Sequence, residues 1–231
     1  MGGKWRLLWL ALILGMLAGC AAPPEVPMEE SKPQPQRTQK IAETLAFPHS
    51  APGSMLILET MQSYSGPYWE DGSGRQVENV AGLMVCNPTK RMVDFAAFAV
   101  EQGGETLYFF IHALPPQSRC LALEYTGKSG AGETAEACRE LCVQWGRQEL
   151  SREQLDYLGF GPSMTVINRD GRQIRHVTVR YKQYVADGDY YLGGAVQSEH
   201  LFFLQPEERR TVLPAHYDAS HARIVGIELE M

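Results

Sequence analysis

The feature that most constrains the fold is a period-two alternation of apolar side chains, broken at short intervals by Gly, Asn and Asp. Alternation sends successive side chains to opposite faces of a strand, so one face can be buried while the other stays wet. Residues 55–60, 80–86, 92–101, 106–112 and 119–125 read this way. Asp71-Gly72-Ser73-Gly74 supplies a turn, and Gln102-Gly103-Gly104 separates two segments at hairpin spacing. A second series covers 164–168, 174–185, 191–204, 209–213 and 222–230, with Asp170-Gly171 and Asp187-Gly188 as turns. Strands this short and this regularly spaced predict a mainly β chain built as antiparallel sandwiches.

The two series look like copies of one unit. Met84-Val85-Cys86-Asn87 matches Thr165-Val166-Ile167-Asn168, and a branched apolar residue, Val93 or Ile174, stands six positions past each Asn. Leu114-Pro115-Pro116-Gln117 then matches Leu204-Gln205-Pro206-Glu207. From Asn to Leu is 27 residues in the first copy and 36 in the second, which places a longer hairpin around residues 186–194. Each Asn is expected to end a strand and bond its own backbone, and each Pro to end a strand where no ladder donor is wanted. Between the copies, Cys138, Leu141, Cys142 and Trp145 fit a helical face, while Leu141, Val143 and Trp145 fit a strand. A second copy needs an opening strand, so a strand is expected at 141–145. Ser151-x-x-Gln154 then predicts a capped short helix through Leu158.

The N-terminus carries different information. Lys4 and Arg6 precede an apolar run over residues 7–17, too short for a comfortable permanent span of roughly 20 residues. Leu17-Ala18-Gly19-Cys20 follows and resembles the lipobox of bacterial lipoproteins at all four positions. The resemblance implies cleavage between Gly19 and Cys20 and a lipid, diacylglyceryl with palmitate-type chains, on the Cys20 sulfur. Two acyl chains hold a protein stably to a membrane at roughly 0.8 kcal/mol per buried CH2. The implied localisation is the cell membrane, with the polypeptide facing outside the cytoplasm. Five prolines within thirteen residues (Pro23, Pro24, Pro27, Pro33, Pro35) make the following stretch a disordered tether.

Loss of Lys4 and Arg6 with the leader leaves 19 basic residues against 27 acidic, a net charge of −8. That balance excludes nucleic acid as the expected partner and leaves any anchoring to the lipid. Four cysteines remain, Cys86, Cys120, Cys138 and Cys142, enough for two disulfides in three connectivities or for four buried thiols.

The lipobox, the proline-rich tether and the repeated Val-x-Asn turn pattern together resemble small bacterial surface lipoproteins with immunoglobulin-like modules of the FxLYD type. Asn168-Arg169-Asp170-Gly171, Tyr181-Lys182-Gln183-Tyr184 and Asp187-Gly188 carry the likeness over about residues 160–231, and 54–126 more weakly. The resemblance implies two tandem immunoglobulin-like β-sandwiches and no defined activity. The expected organisation is a signal peptide at 1–19, lipidated Cys and tether at 20–47, a first sandwich at 48–130, and a second at 131–231 with a connector at 131–160.

Chemistry is harder to find. The six histidines are dispersed, with only His216 and His221 near in sequence. No metalloprotease, nucleophile-elbow or phosphate-loop motif occurs, and no metal site or cofactor is expected. Asp187 and Asp189 lack the further ligands of a calcium loop. Glu140, Glu149, Glu153 and Asp156 are the carboxylates that a glycan hydrolase would need paired. The best ligand candidates are aromatic: Tyr64, Tyr68 and Trp69 beside one turn, and Tyr184, Tyr190 and Tyr191 beside another. Cross-strand packing explains the same rings. The expected function is a lipid-anchored extracytoplasmic binding or structural protein of the cell envelope, without catalysis, with a protein or glycan partner. The rivals are an extracytoplasmic hydrolase on wall polymer or glycan, and an accessory lipoprotein docking on a membrane complex.

Overall fold

The computed structural model describes residues 44–130, 134–146 and 153–231. The signal segment, the lipobox and the tether lie outside the described residues, as do Glu149 and Ser151. The described chain is mainly β, with no helix. In order the strands are β1 (His49–Ser50), β2 (Ile57–Tyr68), β3 (Arg75–Asn87), β4 (Met92–Gln102), β5 (Glu105–Leu114), β6 (Ser118–Leu123) and β7 (Ala137–Gly146). They continue as β8 (Leu155–Phe160), β9 (Ser163–Asn168), β10 (Ile174–Val185), β11 (Tyr190–Leu204), β12 (Arg209–Val212) and β13 (Ala222–Glu230).

Strands β2–β7 and β8–β13 follow one plan. In the first set β2-β3-β6 hydrogen-bond together opposite a separate sheet β5-β4-β7. In the second, β8-β9-β12 stand opposite β11-β10-β13. Each pair of sheets encloses its own core. Leu58, Met61, Leu83, Val85 and Ala122 meet Ala96, Phe98, Val100, Phe109 and Ile111 in the first. Leu155, Met164 and Val166 meet Val177, Val179, Tyr181, Leu201 and Ile227 in the second. A large side chain buried as completely as Phe98 or Phe109 contributes roughly 1.5–3 kcal/mol.

The two sets are joined edge to edge. β6 pairs with β11 in parallel, Cys120 opposite Tyr191 and Leu121 opposite Leu192, and this fuses a seven-stranded sheet β1-β2-β3-β6-β11-β10-β13. The antiparallel expectation did not include this link. Residues 41–231 accordingly form one compact unit.

The matched Asn residues occupy identical positions in hydrogen bonding. Asn87 is fully buried at the end of β3; its amide donates to the carbonyls of Arg91 (2.8 Å), Leu114 (3.4 Å) and Pro115 (2.9 Å). Its side-chain oxygen accepts the Thr89 N–H at 3.1 Å. Asn168, equally buried at the end of β9, donates to Arg172 (2.8 Å), Leu204 (3.1 Å) and Gln205 (3.0 Å) and accepts the Asp170 N–H at 2.8 Å. The turns they reach contain Gln117 and Glu207, non-glycine residues at φ 53° and 58°.

Three expectations are corrected. The segment with the capping pattern is not a helix through Leu158: residues 155–160 are strand β8, paired with β9 from Leu155↔Asn168 to Phe160↔Ser163. Its side chains alternate, with Leu155 buried and Asp156 exposed, so cross-strand pairing overrides the local cap. β7 is a strand, as expected over 141–145, but it does not open the second copy: it pairs with β4 and completes the first set, so the first set extends past residue 130 and β8 opens the second. A register shift opposite Ala97/Phe98 skips Leu141, which explains why Cys138, Val143 and Trp145 all pack inward although no single period joins them.

The third correction concerns disulfides: Cys86, Cys120, Cys138 and Cys142 are all free. Cys120 pairs with Val85, and Cys86 with Arg119, so these two thiols leave opposite faces of the sheet. Cys138 and Cys142 sit four positions apart on one strand, about 13 Å at 3.3 Å per residue. A disulfide needs Cα atoms within about 7 Å.

Candidate functional site: the junction between the two strand sets

The site begins with a local irregularity in β11. Pairing with β10 runs in register from Ile174↔Leu204 to Tyr181↔Gln197 and resumes at Gln183↔Leu192. Three more residues are therefore taken up on β11 than on β10, and the surplus, around Gly193-Gly194-Ala195, bulges toward the first strand set. Glycine is required there. Gly193 adopts φ 79°, and a Cβ on Gly194 would stand 1.7 Å from the Phe110 carbonyl oxygen.

Two ionisable side chains grip this bulge. Glu70, just past β2, accepts the N–H groups of Leu123 (2.7 Å), Gly194 (2.7 Å) and Ala195 (3.2 Å). Lys182, with no exposed surface, donates to the carbonyls of His112 (2.9 Å), Gly194 (2.8 Å) and Ala195 (3.0 Å). The Gly194-Ala195 backbone is thus held from its donor side by Glu70 and from its acceptor side by Lys182. The Cys120 thiol donates to the Gly193 carbonyl at 3.2 Å. Burial pushes the Glu70 carboxyl above its ordinary value, against the opposing pull of the amides and of Lys182. Burial pushes the Lys182 ammonium down. Three donors on three acceptors satisfy the ammonium group completely.

Above this lock lies an open pocket of about 220 Å3 lined by Gln117, Ser118, Arg119, Tyr184, Asp189, Tyr191 and Arg223. It is drawn from both strand sets: the start of β6 supplies one wall, and β10, β11, their hairpin and β13 the other. Arg119 is steadied by Glu59 at 2.7 Å. Arg223 lies 4.5 Å over the Tyr184 ring and donates to the Ala219 and Ala222 carbonyls. The Tyr184 hydroxyl donates to Asp189, which holds its pKa up, and the Tyr184 and Tyr191 rings meet edge-on at 5.4 Å. Burial pushes Tyr191 up to about 12. Two guanidinium groups beside two phenol rings form a surface for an anion carrying an apolar face, such as a sugar acid.

The six aromatic candidates do not form one patch: alternation along β11 sends Tyr191, opposite Cys120, and Tyr190, on the side of Leu192, to opposite faces of the sheet. Tyr68 is buried and its hydroxyl donates to the carbonyls of Glu124 (2.8 Å) and Tyr125 (2.7 Å). Tyr64 donates to the Pro67 carbonyl at 3.0 Å. Tyr64, Trp69 and Tyr190 pack with Tyr68, Val80, Leu121 and Leu192 into a third apolar cluster that straddles the join. Tyr184 and Tyr191 face the pocket.

Among the described residues, Glu140 and Asp156 are engaged apart from one another. Glu140 in β7 caps Ser54, and Asp156 in β8 pairs with Arg169 at 2.7 Å. Burial raises the thiols of Cys120 and Cys138 to about 11, which suppresses thiolate chemistry. Among the described residues no group of three or more His, Cys, Asp or Glu is arranged to hold a metal.

Arg119, Arg223, Glu70 and Lys182 were not singled out by sequence. Lys182 falls on the outward side of β10, where alternation reads as solvent-exposed; only a neighbouring strand set buries it. The one local signal was the Gly193-Gly194 pair inside a strand, which marks a bulge or a close backbone approach. No protein-family model, no curated protein and no solved structure matches this chain.

Proposed function

We propose that this protein is a lipid-anchored, extracytoplasmic binding protein of the bacterial cell envelope, made of two tandem immunoglobulin-like sandwiches and acting without catalysis. The observation that carries the anchor is Leu17-Ala18-Gly19-Cys20 after a short apolar run and before a proline-rich tether. The observation that supports binding is the arginine–tyrosine pocket at the junction. Its expected ligand is an anionic saccharide or wall-polymer unit, with the guanidinium groups on the acid and the rings on the sugar face. The nearby acids are already engaged, Asp189 by the Tyr184 hydroxyl and Glu59 by Arg119, and the Cys120 thiol by a carbonyl, which supports binding over hydrolysis.

Two measurements test the reading. Expressed in bacteria with a clickable fatty acid, the native chain takes up label and sediments with membranes, whereas Cys20→Ala does neither; label on the variant overturns the anchor. Titration with glucuronic acid and glycerol phosphate, followed by tyrosine fluorescence, is expected to show saturable binding. Arg223→Gln should weaken it by about 10- to 150-fold, the loss of one charge-assisted contact of roughly 1.5–3 kcal/mol.

A docking role has one specific observation in its favour. Leu158, Phe160 and Leu213 are 60%, 85% and 73% exposed, and alternation puts them on the outer side of the β8-β9-β12 sheet. Exchange of all three for Ser that abolishes co-purification with a membrane complex would favour that role.

A further inference from the structure

We propose that the exposed face of β10 and β11 carries a binding site for a divalent transition-metal ion, held by His176 and His200 with the Thr178 hydroxyl as third donor. The bulge creates this site. Continued without a shift, the register Gln183↔Leu192 would place His176 opposite residue 199, sending His200 to the other face of the sheet. The three surplus residues of β11 change the parity, so that His176 pairs with Phe202 and Thr178 with His200. The two imidazoles become diagonal neighbours on one face.

Their donor atoms form a nearly equilateral triangle. His176 Nε2 and His200 Nδ1 are 3.1 Å apart, and the Thr178 hydroxyl stands 3.4 Å from the first and 3.2 Å from the second. Two ligands at about 2.1 Å from one ion, with an angle between square and tetrahedral, are separated by about 3.0–3.4 Å. The hydrogen between the two ring nitrogens holds them at that spacing, and an ion bound by both would sit to one side of the line that joins them. Neutral rings need only move that hydrogen to the opposite nitrogen and swing about Cβ–Cγ to aim both lone pairs at the metal. The surroundings suit the exchange: the Ser198 hydroxyl lies 3.3 Å from His200 Nε2 and can accept its N–H, and the His176 ring lies flat on Phe202 at 4.6 Å.

Charge and donor type define the ion. Glu230 and Glu228 of β13 are the cross-strand partners of His176 and Thr178 and are now tied to Arg175 (3.0 Å) and Arg180 (2.7 Å). They supply negative charge on the adjacent strand, while water completes the coordination. Two imidazole nitrogens select Zn2+, Cu2+ or Ni2+ over the oxygen-seeking Ca2+ and Mg2+.

Calorimetric titration of the full-length protein in detergent with Zn2+, Cu2+ and Ni2+ tests this, with Ca2+ and Mg2+ for comparison. The expected result is one ion per chain for the first three and no saturable heat for the last two. Loss of even an outer-shell partner typically costs 10–100-fold in affinity, so His176→Ala and His200→Ala should each weaken Zn2+ binding by more than about ten-fold. Both side chains leave a solvent-facing surface, and far-UV dichroism confirms that each variant is folded; His200→Gln serves if Ala does not fold. Absence of saturable Zn2+ binding to the native chain overturns the proposal. So does binding that both variants retain, because the ion then sits elsewhere.

Discussion

At the scale of single residues, the two buried asparagines do the most work per atom. Asn87 and Asn168 each tie a strand end to a turn two to four residues ahead and to a second strand end 27 or 36 residues away. Replacement by Ala strips partners from buried carbonyls, so Asn87→Ala and Asn168→Ala should each lower the unfolding free energy by about 3 kcal/mol in urea titrations. The residues sit in separate cores, so the double variant should equal the sum within about 0.5 kcal/mol. The free thiols give a second expected outcome. In the folded protein Cys142, exposed at its strand, alkylates first with iodoacetamide. Cys138, with its thiol near 11, reacts slowly at pH 8 and about ten-fold faster per pH unit up to that value, since only the thiolate attacks. Cys120 is protected until the chain unfolds. The asparagines were legible because each stands two positions after a Val and six before a branched apolar residue, with a Leu-Pro or Leu-x-Pro strand end further on. The fate of the thiols was not, because the face a cysteine takes depends on pairing register, which spacing alone does not reveal.

At the scale of elements, the β10–β11 hairpin decides how the molecule is joined. Its strands were legible almost to the residue, since Val177, Val179 and Tyr181 keep a clean alternation between turn signals. The bulge within it was not legible, because its cause lies outside the hairpin: Glu70 and Lys182 hold the surplus backbone from opposite sides. Lys182→Met leaves three carbonyls without their donor, and should cost about 3 kcal/mol by chemical denaturation. Gly194→Ala should be at least as damaging, because its new methyl group meets the Phe110 carbonyl, which is fixed backbone. Gly72→Ala, where no atom lies within 4 Å of the new carbon, should cost only the strain of its φ of 72°, about 1–2 kcal/mol. A Gly194→Ala chain as stable as Gly72→Ala would show that the bulge is not held as described. β8 taught the same lesson differently, since a capping pattern overridden by cross-strand pairing hid its strand, whereas β7 was legible over 141–145 and only its bulge and its partner were not.

At the scale of the whole molecule, two strand sets with separate cores share a sheet, a charged lock and an aromatic cluster. Calorimetry is therefore expected to show one cooperative transition rather than two, and Lys182→Met should split or broaden it. Two resolved transitions in the native chain would mean that the join contributes little. The repeat was legible because Asn and Pro anchors recur in order; the join was not, because parallel pairing of β6 with β11 links residues with no sequence signal in common. The join also bears on inheritance. Excising either half would return Lys182 or Glu70 to water, where each is readily hydrated, but would bare the apolar side chains the two sets bury together, Leu121 and Leu123 on one side and Leu192 on the other. A half transplanted alone would carry a sticky edge, which favours inheritance of the two as a pair.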